Sequence, residues 1–176
     1  MTRKQVVEFL AEMAGPLGPF GSFEERLRQI DTWAADANDE LVDLLVDIVL
    51  HPPDPAEYLP ATRDDFEFVT SKVLTQIGKR NTSHFLQKVG PLLEDKRARA
   101  MIIEVIGNLQ SQKGISWLRP LLDRVTLTED ELTSLASALG EIGGAEARGL
   151  LEQIRASVPK DKTDVLREID IALQKV

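Results

Sequence analysis

Two histidines, 29 acidic residues and the absence of cysteine bound the chemistry open to this chain of 176 residues. His51 follows Asp47 by four residues and Asp43 by eight, the spacing that aligns potential metal ligands along one side of a helix. No second histidine stands nearby, and Pro52 follows His51 directly, at a helix end where the dipole by itself favours a cationic ring. His51 therefore reads as a helix-end residue, and no metal or other cofactor is expected. His84 has no serine or acid at the spacing of a catalytic constellation, and neither a nucleophile elbow nor a thiol exists to pair with it. It reads as a histidine on a helix surface, and no catalytic residue is assigned.

Asp36, Glu40, Asp43 and Asp47 recur at intervals of 4, 3 and 4, which places all four along one side of a third helix. Such a strip is the wet side of an amphipathic helix, and it also suits a basic partner. Residues 1–60 contain 4 Lys+Arg against 12 Asp+Glu and carry the whole net charge of −8; residues 61–176 hold 17 of each. Nucleic-acid modules show the opposite sign, so the expected partner is another protein, one with a basic surface. The opening MTRKQVVEFLAEMA is charged throughout, unlike a signal peptide. No apolar run approaches the ~18 residues of a membrane span. A cytoplasmic protein without membrane contact is expected.

The elements that must position these residues are helical. Thr2 with Gln5, Ser22 with Glu25 and Thr128 with Glu131 have the spacing of capping boxes, and Asn38 is a further cap. The stripes that follow are Val6, Phe9, Leu10, Met13; then Phe23, Leu27, Ile30, Ala34; then Leu41, Leu44, Leu45, Ile48. A Gly-Pro-rich loop carrying Leu17 and Phe20 separates the first two and reads as an apolar plug. Pro52, Pro53, Pro55 and Pro60 leave room only for a short helical piece around Ala56–Leu59.

Beyond residue 62 the chain repeats itself. Leu74, Ile77, Phe85, Leu86 and Val89 recur as Ile106, Leu109, Trp117, Leu118 and Leu121 at an offset of 32. They recur again as Leu139, Ile142, Leu150, Leu151 and Ile154 at an offset of 33. A fixed period with matched apolar positions marks stacked two-helix units, none of which can bury its apolar face alone. The expected pairs are Arg63–Ile77 with Asn81–Leu93, Lys96–Leu109 with Gln112–Val125, and 128–142 with Ala145–Ala156. Lys162–Gln174 is expected to close the stack. Gly90-Pro91 and Arg119-Pro120 should interrupt the second helices. Gly143, matched by Gly78, stands where a helix end demands positive φ, and Gly107 and Gly140 are small enough for close helix contact. Trp117 shares its position with Phe85 and Leu150 and is expected in the core. Arg99, at a helix start, reads as a solvated charge, and Glu131 as the capping-box partner of Thr128 at a helix start where negative charge is stabilising.

The stretch Ala138-Leu139-Gly140-Glu141-Ile142-Gly143-Gly144-Ala145-Glu146-Ala147, followed by Leu150 and Leu151, resembles the short HEAT-like repeat of phycobilisome-lyase-type HEAT proteins. Ile106-Gly107-Asn108-Leu109 and Ile77-Gly78 are weaker copies. The resemblance covers residues 63–156. It implies an all-α fold: one domain, an α-solenoid of antiparallel helix pairs over 62–156, with an irregular helical cap over 1–61 and a capping helix over 157–176. It also implies a non-enzymatic scaffold that meets proteins on the concave side lined by the second helices. There the candidate contacts are His84, Gln87, Arg119, Arg148 and Glu152, on a ladder that also holds Ile115, Ser116 and Gly149. Asp36, Glu40, Asp43 and Asp47 form the second candidate surface.

Three alternatives stand beside this reading. Some members of the resembled group are bilin lyases or isomerases, although no residue here matches a lyase-specific motif. An acidic inhibitor or immunity partner of a basic protein would use the N-terminal third. A DNA-reading HEAT-like glycosylase would need a basic, Trp-rich face, which a neutral array in a chain with two Trp does not offer.

Overall fold

Side-chain oxygens start most of the helices by accepting backbone N–H groups that have no partner within the helix. Thr2 caps α1 (Arg3–Ala14), Ser22 caps α2 (Phe23–Ala35) and Asn38 caps α3 (Asp39–Leu50). Thr62 accepts from the Asp65 N–H at the head of α4 (Arg63–Arg80), and Asn81 caps α5 (Thr82–Val89). Then come α6 (Arg99–Asn108), α7 (Ile115–Leu118) and α8 (Leu121–Arg124). Thr128 and Glu131 complete a reciprocal capping box before α9 (Glu129–Ile142). The chain closes with α10 (Gly144–Ser157) and α11 (Thr163–Lys175). The computed structural model describes residues 1–16, 22–124 and 126–176, and among these there is no strand. Leu17, Phe20 and Val125 lie outside the described residues.

The breakers act where they were expected. Pro91 offers no N–H, and after Val89 the chain tightens into a 3-10 turn over Gly90–Glu94. Pro120 separates α7 from α8, and Pro55–Glu57 forms a single 3-10 turn in place of the short piece around 56–59. One boundary differs in kind. Gly78 lies inside α4, which runs on to Arg80, so it does not adopt positive φ. Gly143 does (φ 71°), and Gln110, one repeat earlier, does so without being glycine (φ 52°).

The described chain forms two compact units, Met1–Arg80 and Asn81–Val176. The boundary cuts the first expected repeat, because α4 packs on α1, α2 and α3. In the N-terminal unit Leu10, Ile30, Leu45, Ile48 and Leu74 are buried, and Trp33 stacks on Phe9 with ring centroids 4.1 Å apart.

In the C-terminal unit α9 lies between α6 and α11, and α10 packs on both α9 and α11. Missing side chains set these contacts. A Cβ added at Gly107 would stand 2.5 Å from the Ala138 Cα, and one at Gly140 would stand 3.0 Å from the Ala172 Cα. So α9 meets α6 on one side and α11 on the other with backbone against backbone. Of the fifteen aligned apolar positions, only Trp117 is not buried. It is half-buried, a correction to its expected place in the core: its indole lies over Gly90, where a Cβ would overlap the ring.

Polar links tie one segment of this unit to the next. Arg99 is buried, not solvated. Its Nη1 meets the Glu131 carboxylate at 3.1 Å, and its other nitrogens donate to the Leu93 and Glu94 carbonyls. Glu131 in turn accepts the Thr128 N–H at 2.8 Å. The Gln112 amide donates to the Ile142 and Gly143 carbonyls at the end of α9. Lys162–Glu129 and Lys175–Glu141 pair at the surface.

Two outcomes test this packing. Gly107→Ala should lower stability by about 1–3 kcal/mol through overpacking. Gly149→Ala, in a helix interior with nothing within 4 Å of the new Cβ, should raise it by about 1 kcal/mol; denaturant unfolding of both variants reads the contrast. Arg99→Met, which strands a buried carboxylate, should cost about 3–5 kcal/mol. Adding Glu131→Gln, which keeps the Thr128 cap but removes the charge, should recover part of that loss.

Candidate functional site

The expected contacts are exposed in the C-terminal unit, but they divide between two grooves: Arg119 lines one between α7–α8 and α10, and Arg148 and Glu152 line another between α10 and α11. His84 and Gln87 are exposed on α5, Arg119 ends α7, and Arg148 and Glu152 are exposed on α10. The Lys113 ammonium donates to the Ser83 hydroxyl at 2.8 Å, which sets the start of α7 beside the start of α5. Arg119 pairs with Glu146, which sets the end of α7 beside α10. Ile115 departs from the ladder: it is buried, because the 3-10 turn over Gln112–Gly114 rotates it inward at the first position of α7. The apolar rung of the expected face is therefore part of the core.

Between α7–α8 and α10 runs an open groove of about 380 Å³ lined by Arg119, Asp123, Glu146 and Gln153. Gly149 lies on its floor, and the absence of a side chain there keeps it open. The two arginines expected as anchors are held in place. Arg119 is paired with Glu146, and Arg148 bonds Glu152 at 3.3 Å and the Val176 carbonyl at 3.1 Å. These pairs are more than half exposed, so they fix orientation at little energetic cost and can be exchanged for a partner's carboxylates. The geometry favours recognition of a polar surface by preset charges.

The acidic strip is assembled differently from its sequence spacing. Asp36 is the C-cap of α2 and not a residue of α3, because Asn38 starts a new helix with its own cap. Glu40 and Asp43 are exposed on α3, with the N-terminal ammonium 4.0 Å from Glu40. Asp47 is engaged on both carboxylate oxygens, by His51 Nδ1 at 3.0 Å and Arg3 Nε at 3.0 Å, while Arg3 Nη2 donates to the His51 carbonyl. The His51 ring thus spends its Nδ1 on Asp47. Among the described residues, no three of His, Asp and Glu are grouped so as to hold a metal ion. No helix among them is long and apolar enough to cross a membrane.

Sequence reasoning missed Arg99, Gln110 and Gln112 as structural residues, and it read the Glu131 cap but not its pairing with Arg99; in each case a partner about 30 residues away had to be known.

The Asp47 carboxyl is held below the usual aspartate value, chiefly by its hydrogen bond with His51 and also by Arg3, against a smaller opposing effect of burial. A depressed carboxyl contributes stability that is present above the ordinary aspartate value and is lost as pH falls through the lowered one. Carbon-detected NMR titration should find Asp47 titrating below the ordinary aspartate value. Arg3→Gln together with His51→Ala should return it to the ordinary range, and a normal midpoint in the unaltered chain would contradict the geometry.

No protein-family model, no curated protein and no solved structure matches this chain.

Proposed function

We propose that this protein is a non-enzymatic protein–protein interaction module: an α-solenoid of short HEAT-like repeats, fronted by an acidic helical cap, that captures its partner on the side presented by α5, α7 and α10. One observation carries the reading. In residues 81–176 five polar links join positions separated by about one repeat: Arg99 with Glu131, Gln112 with Ile142, Lys113 with Ser83, Arg119 with Glu146, Lys162 with Glu129. Repeating links of this length hold successive helix pairs in register, so a side made of many helices behaves as one preformed surface. Docking on such a surface orders few groups and leaves more of the contact energy for affinity. The side is polar and of mixed charge, which selects a protein partner with complementary polarity.

A second reading is favoured by charge. Residues 1–80 hold 8 Lys+Arg against 15 Asp+Glu, a balance of −7, whereas residues 81–176 hold 13 against 14. An acidic N-terminal unit suits electrostatic steering of a basic protein, as an inhibitor or immunity partner would need.

Affinity capture from the native host with quantitative mass spectrometry separates the two. His84→Ala/Gln87→Ala/Arg119→Ala should reduce recovery of the principal partner at least about tenfold, the equivalent of about 1.4 kcal/mol. The thermal midpoint should hardly move, since all three residues are exposed. Recovery unaffected by that variant but lost with Glu40→Lys/Asp43→Lys would transfer the function to the acidic unit.

A further inference from the structure

A second groove, of about 640 Å³, opens between α10 and α11. Its walls are of two kinds. Val158, Leu166 and Leu173 supply apolar surface, and Arg148, Arg155 and Lys160 supply three cations against the carboxylate of Glu152 in the lining and that of Asp170 beside Arg155. In a chain of net charge −8, the local sign is the reverse of the whole. The two helices run antiparallel in a fixed register. Arg148 reaches the Val176 carbonyl at one end, and Arg155 meets Asp170 at 2.9 Å farther along. Arg148 and Arg155 are seven residues apart on α10, and Leu166 and Leu173 are seven apart on α11. Seven residues of helix rise about 10 Å, so a cationic row and an apolar row of equal length face the same groove.

We infer that this groove docks an amphipathic helix of a partner protein, one that carries two apolar side chains seven residues apart beside a flank of Asp or Glu. The inference rests on the interaction-module reading only in taking the chain for a binding protein; it does not use the α5 and α7 contacts. Two rows with the spacing of two helical turns match a helix laid along them, its apolar stripe on Leu166 and Leu173 and its carboxylates toward α10. Arg148 and Arg155 are 53% and 55% exposed in their present pairs with Glu152 and Asp170. Such pairs are weak and exchangeable, so an incoming carboxylate replaces an intramolecular partner without leaving a buried charge behind.

The test uses the full chain and two fluorescein-labelled, lactam-bridged helical peptides of 16 residues. Both carry Leu at two positions seven apart; one has Glu at every flanking position and the other has Lys. Fluorescence anisotropy should show the Glu peptide binding at least about tenfold more tightly than the Lys peptide, with an advantage that shrinks as salt rises. Arg155→Glu/Lys160→Glu, both exposed substitutions, should reverse the order of the two peptides, with circular dichroism confirming an intact fold. Equal binding of both peptides, binding of neither, or an unchanged order in the double variant would overturn the inference. If the order fails to appear while the His84/Gln87/Arg119 variant still loses its partner, the groove assignment falls and the module stands. The opposite result retains the groove and removes the α5–α7 surface.

Discussion

Two places where a side chain is missing govern the C-terminal unit. At Gly107 and at Gly140 the helices come so near that any Cβ would meet the backbone of a neighbouring helix. Such contact maximises dispersion between the helices and leaves no room for sliding, since a residue of any other size cannot pass the point of approach. The two points lie on opposite sides of α9, which makes α9 the reference for α6 and for α11 at once. Outside this row, α7 and α10 pack on α9, and α10 on α11 as well. A surface built on these elements inherits their rigidity.

Polar chemistry adds direction to that packing. The Arg99–Glu131 pair joins the start of α6 to the start of α9 inside the protein, with the other two Arg99 nitrogens bonded to the Leu93 and Glu94 carbonyls and the Glu131 carboxylate also accepting the Thr128 N–H. A pair so completely satisfied contributes less to stability than to uniqueness, because any shifted register leaves a charge buried alone. The Gln112 amide does the same for the far end of α9, occupying carbonyls that the helix cannot satisfy. In the N-terminal unit the comparable links, from Arg3 to Asp47 and from Arg80 to Ala35, span 44 and 45 residues and follow no period. The long-range links of the two units therefore differ in span, about 30 residues in the C-terminal unit and about 45 in the N-terminal one.

This division explains what could be read from the amino acids alone. Most of the apolar stripes, the caps at Thr2, Asn38 and Thr128, and the close approach at Gly107 and Gly140 were legible because each is decided within a few residues; Phe23, expected in the α2 stripe, is instead exposed. Trp117 was misplaced because its neighbours define a core position, whereas its environment is set by Gly90, 27 residues away, and by the interruption at Pro120. Gly78 looked like Gly143 because both follow an isoleucine at the end of an apolar stripe; α4 simply continues for two more residues. The positive φ of Gln110 left no trace, since glutamine is not the residue that such a backbone selects. Arg99 looked solvated because a charged residue at a helix start usually is. For the proposed contact residues, position along the helices was readable from spacing. The pairing of Arg119 and Arg148 with their own chain was not, and neither was the inward turn of Ile115.

The claim beneath the functional reading is that α6, α9 and α11 open and close as one body. Native-state hydrogen exchange on the unaltered chain and on Gly140→Val measures this directly. The slowest amides of all three helices should share one opening free energy, and the substitution should lower all three together, α6 included. If Gly140→Val releases α11 while the α6 amides keep their protection, the three helices are independent, and the surface they support is not the single preformed face described here.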